Sequence, residues 1–148
     1  MPLCKLIVSL NSYAKYMNDS YKTQLSATCL LLSVAESDEI LDEKEIETIQ
    51  NILQDFFSIT IKDAHHLLHD TKNAMEKATG LFEFGQHLNS VFDKEDKLDF
   101  LSCIFEVAFA DGELHYLEHH TVKKIANILN IDRRDILISK IKMEKYLN

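Results

Sequence analysis

Apolar residues recur every three or four positions along almost the whole chain, the period of amphipathic helices. Leu6, Ile7, Leu10, Ala14 and Met17 predict a first helix from Leu3 to about Met17. A second is predicted from about Tyr21 to Ser37, and its dense run from Cys29 to Ala35 should be among the most buried parts of the protein. Asp42 is a good N-cap, and Glu45 three residues later completes a capping box for a third helix through Phe56. Its stripe is Ile46, Ile49, Ile52, Leu53 and Phe56. Ser58 or Thr60 can cap a fourth helix reaching Ala78, with Ile61, Ala64, Leu68 and Met75 on one face. The fifth, about Leu81 to Phe92, contributes Leu81, Phe84, Leu88, Val91 and Phe92 to the core and contains Gly85, which costs about 1 kcal/mol relative to alanine and suits a close helix crossing. Asp93 caps a sixth helix through Ala110, with Leu98, Leu101, Ile104, Phe105 and Ala108 inward. A seventh from His115 to Asn130 turns Val122, Ile125, Ala126 and Leu129 inward. Asp132 opens a last helix containing Ile136, Leu137, Ile138 and Ile141.

Composition agrees with this pattern. Only three glycines and one proline interrupt 148 residues, which leaves little material for hairpins and predicts an all-α fold. We expect one domain over residues 1–148, a compact bundle of seven to eight helices around a single core. The net charge of −8 excludes a nucleic-acid backbone as the natural partner and suits cations or basic proteins. Lys140, Lys142 and Lys145 complement the last helix's dipole. Cys4, Cys29 and Cys103 are an odd, unpaired set among apolar neighbours, which points to a reducing cytoplasm. The apolar stretch from Leu3 to Val8 is too short to span a membrane and is followed by no cleavage pattern.

Two acidic corners stand out. Val34-Ala35-Glu36-Ser37-Asp38 aligns with Val107-Ala108-Phe109-Ala110-Asp111, and the same offset places Glu45 on Glu118, Thr48 on Thr121 and Ile52 on Ile125. The chain therefore reads as two helix, acidic turn, helix units, at about 21–56 and 94–130. Gly112 suits a turn needing a left-handed residue. Helical spacing puts Asp38 in line with Leu31 and Ala35, and Asp111 with Ile104 and Ala108. It likewise puts Glu45 in line with Ile49 and Ile52, and Glu118 with Val122 and Ile125. Four carboxylates thus extend buried stripes and require donors or a cation. They can cap the following helices, or, as separate Asp and Glu pairs or both pairs together, hold a hard divalent ion such as Ca²⁺, Mg²⁺ or Mn²⁺.

These two corners, with Phe82-x-Phe84 and the stretch from Lys94 to Leu101, resemble the duplicated signature of the tellurite-resistance TerB family from about Leu25 to Ile141. The resemblance implies a bacterial, all-helical, TerB-like bundle, related to the helical domain of membrane-tethered J-domain co-chaperones. It implies metal binding by Asp38, Glu45, Asp111 and Glu118, and a stress-response module with a protein partner in a membrane-associated network. The first unit departs from the signature, with Glu39 and Ile40 where the second has Gly112 and Glu113. No His-Pro-Asp tripeptide accompanies it.

Other chemistry is sparse. His115 and His119 share a helical face at a spacing that can bind zinc or iron, and His65, His66 and His69 form a second group, expected to be solvated. Neither a phosphate-binding glycine loop nor a nucleophile elbow is present, so the sequence carries no motif of an enzyme. The acidic run from Glu36 to Glu47 can also dock a basic partner.

Overall fold

The computed structural model describes residues 10–37, 41–110, 112, 114 and 116–147. Among them are seven helices and no strand: α1 (Leu10–Ala35), α2 (Glu43–Phe57), α3 (Ile61–Lys77), α4 (Phe82–Val91), α5 (Lys94–Ala108), α6 (Tyr116–Ile128) and α7 (Arg133–Leu147). Residues 3–9 of the first predicted helix lie outside the described residues, and from Leu10 onward it is continuous with the second. Asn18-Asp19-Ser20 is polar but contains no glycine or proline, and helical hydrogen bonds run on through it.

Local chemistry sets the other boundaries. Asp42 accepts from Lys44 N at 2.9 Å while its own N–H donates to Glu45 Oε1 at 3.4 Å, the predicted capping box. Asp93 and Asp96 form a second at the start of α5, with bonds of 2.8 and 3.2 Å. Thr60 caps α3 through Asp63 N. Ser58 ends α2 in the left-handed region, and Asn130 does the same just after α6.

α1 is the hub of the bundle. It packs on α2, α3, α4, α5 and α6, while α7 leans chiefly on α5. Residues Leu30, Leu31, Leu32, Val34 and Ala35 are fully buried, as their density predicts. Phe56 and Phe100 make an edge contact with ring centroids 6.0 Å apart, and Phe92 joins both. Polar ties hold α1 to its neighbours: Tyr21 donates to Asp70 on α3, and Thr23 Oγ1 lies 2.9 Å from His87 Nε2 on α4.

Gly85 marks the crossing of α4 and α6. An added Cβ would sit 2.1 Å from Ile128 Cγ2, and one turn further on Asn89 Nδ2 donates to Ile128 O at 2.7 Å. Two expected core positions fall outside the core: Ile61 and Val91 are exposed because each lies at a helix end, beyond the neighbouring helices' cover. The buried face of α3 is instead Ala64, Leu67, Leu68 and Thr71.

Candidate metal centre

The two acidic corners lie where α1 gives way to α2 and where α5 gives way to α6. α1 finishes with Glu36 N donating to Leu32 O at 2.9 Å and Ser37 N to Val34 O at 3.2 Å. α5 finishes with Phe109 N on Phe105 O and Gly112 N on Phe109 O, at 2.9 and 2.8 Å. Gly112 has a φ of +95°, so the expected left-handed turn is present and a side chain there would be strained. Asp38 and Asp111 lie outside the described residues, as do His115 and Glu113.

Glu45 and Glu118 are described, and both are inside the protein. Glu45 is 3% exposed and Glu118 1% exposed, each in the first turn of its helix. Behind them run the stripes predicted from spacing: Ile49 and Ile52 on α2, Val122 and Ile125 on α6. Such a position is favourable for a carboxylate with respect to the helix dipole but unfavourable with respect to hydration. Part of the compensation at Glu45 is the capping box with Asp42.

One contact escaped the sequence. Ser37 Oγ donates to Ser33 O at 2.7 Å and lies 2.6 Å from Thr121 Oγ1. Thr121 is three residues beyond Glu118, on the same side of α6. The end of α1 is therefore held against the helix that carries Glu118, so the first corner meets the second unit as well as its own. The match of Thr48 with Thr121 was the available signal, although Thr48 bonds within its helix, to Lys44 O.

Of the candidate histidines, His119 and the His65, His66 and His69 group are described. His119 is half-buried on α6, and its pKa lies below the usual 6.5, first through burial and then through Lys140 and Lys123. Those two cations oppose a metal ion at the same place. His65, His66 and His69 are exposed, as expected. Cys29 is buried and Cys103 half-buried, both as free thiols. Burial foremost pushes each thiol up to about 12. Among the described residues no group of three or more His, Cys, Asp or Glu side chains is gathered for a metal, and no helix is long and apolar enough to cross a membrane. A cleft of about 280 Å³ between α5 and the α6–α7 turn is lined by two lysines, Lys94 and Lys97, and two aspartates, Asp132 and Asp135.

A protein-family model described as "Tellurite resistance protein TerB" matches residues 24–140. That range agrees within one residue at each end with the extent read from the signature. No curated protein and no solved structure matches the chain.

Proposed function

The chain belongs to the tellurite-resistance TerB family, and from that premise we propose that it is a non-enzymatic, cytoplasmic module that binds a divalent cation and a protein partner. The observation that supports the cation is the matched burial of Glu45 and Glu118, at corresponding first-turn positions beside the two acidic corners. Asp38, Glu45, Asp111 and Glu118 form an all-oxygen donor set, which suits Ca²⁺, Mg²⁺ or Mn²⁺ rather than a soft metal. The ion would neutralise carboxylates held at the margin of the core and tie both corners together. In a stress-linked, tellurite-resistance-type setting, that makes cation occupancy a means of fixing the surface offered to a partner.

The alternative is a metal-free scaffold whose acids act only as caps, and the capping box at Asp42 and Glu45 favours it for the first unit. Thermal melts in Ca²⁺, Mg²⁺ and Mn²⁺ separate the two. An ion at 100 times its Kd adds about 2.7 kcal/mol, or roughly 5–10 °C for a chain of this size. Glu118→Gln should fold and lose that rise. Melts that no divalent ion moves would leave the capping scaffold as the correct reading.

A further inference from the structure

α7 has more apolar residues than its own packing uses. Ile136 and Met143 face the core, and Ser139 meets Ser102 of α5. Leu137, Ile138 and Ile141 are nevertheless 58%, 41% and 40% exposed. Successive positions advance by about 100°. Arg134, Leu137, Ile138, Ile141, Lys142 and Lys145 therefore share the outward face, three apolar and three basic, with Asp135 and the exposed Glu144 at its two edges. Arg134 and Lys145 are eleven residues apart, three turns of helix, so they stand in one row about 16 Å from end to end with the apolar patch between them. The arrangement is unusual for a chain of net charge −8.

We propose that this outer face of α7 docks an amphipathic helix of a protein partner, one whose apolar stripe is bounded by carboxylates about three turns apart. It names the surface for the interaction half of the function proposed above and rests on that half alone. Two other occupants fit the charges less well. An interfacial membrane helix turns its charges away from the acyl chains, whereas Arg134 and Lys145 share the apolar face. A twofold pairing of α7 with α7 in a second copy would set Arg134 against Lys145 in antiparallel register. A helix laid alongside satisfies both features: its apolar residues cover Leu137, Ile138 and Ile141, and its acids meet the cations at either end.

The test uses the full chain and a synthetic helical peptide with leucines at helical spacing and glutamates eleven positions apart, beside a twin with lysines in their place. Fluorescence anisotropy should show the glutamate peptide binding at least tenfold more tightly than its twin, and more weakly as salt rises. The R134E/K145E variant changes only exposed side chains, and its unchanged melting curve would establish its fold. It should reverse the preference between the two peptides. Equal affinity for both peptides, or a preference untouched by the double charge reversal, would overturn the proposal. Adsorption to phosphatidylglycerol vesicles in place of peptide binding would also overturn it, assigning the face to lipid. Failure here, with cation stabilisation intact, would remove the α7 surface and leave the cation site standing.

Discussion

Replacing Gly85 with alanine should destabilise the protein, although alanine is the better helix former by about 1 kcal/mol. The new Cβ would lie 2.1 Å from Ile128 Cγ2 and 3.2 Å from Ile128 Cβ, against a comfortable carbon separation of about 3.5 Å or more. Rotating Ile128 about χ1 is costly, because a β-branched residue in a helix strongly prefers one rotamer. Rotation also leaves the Cβ contact in place. The alternative is for α4 and α6 to separate, which strains the Asn89 to Ile128 carbonyl bond worth about 1 kcal/mol. Overpacking of about 1–3 kcal/mol, less the propensity gain and with part of that bond lost, gives a net cost of about 1–2 kcal/mol. Urea denaturation by circular dichroism reads this directly, and in a thermal melt it amounts to roughly 2–8 °C. Ile128→Ala in the same background removes Cγ2, so the double variant should lose less than the two single losses combined. Gly80→Ala, with nothing within 4 Å of the new Cβ, supplies the control. A neutral or stabilised Gly85→Ala, or strict additivity with Ile128→Ala, would refute the close crossing.

Three further outcomes follow from the same geometry. Asp42→Ala removes the cap of α2 and should cost about 1 kcal/mol in urea denaturation, with Asp93→Ala costing a similar amount at α5. Because the folded-state pKa of His119 lies below 6.5, the unfolded chain takes up its proton first as the pH falls; stability should therefore decline below about pH 6.5. His119→Gln should flatten that part of a stability profile, and an unchanged slope would contradict the assignment. The thiol of Cys29 is buried and pushed up to about 12, so iodoacetamide at pH 8 should label it slowly in the native protein and rapidly in urea, as followed by mass spectrometry.

Much of the bundle was legible because its caps and stripes are local. Asp42 with Glu45, Asp93 and Thr60 marked helix starts that the structure reproduces, and the three- and four-residue spacing placed Glu45 and Glu118 on buried rows. The continuous α1 was not legible: Asn18-Asp19-Ser20 has the composition of a cap and turn, and only the absence of a breaker argued for continuity. Ile61 and Val91 misled because periodicity assigns a face but not how far a neighbour extends along it. The contact of Ser37 with Thr121 depends on how distant helices meet, which no local pattern encodes. The outer face of α7 was hidden for the opposite reason. Its apolar residues point both ways, so the pattern reads as a buried helix until the packing shows which side α5 covers.

The proposed function stands or falls with a divalent cation held by the carboxylates at the two corners. Isothermal titration of the metal-stripped full chain with Ca²⁺, Mg²⁺ and Mn²⁺ tests it most directly, alongside Asp38→Asn, Glu45→Gln, Asp111→Asn and Glu118→Gln. Saturable binding of one of these ions, weakened at least tenfold in each folded variant, is the predicted result. Titrations without saturable heat, paired with equilibrium dialysis that finds no retained ion, would contradict it, as would binding that all four variants preserve.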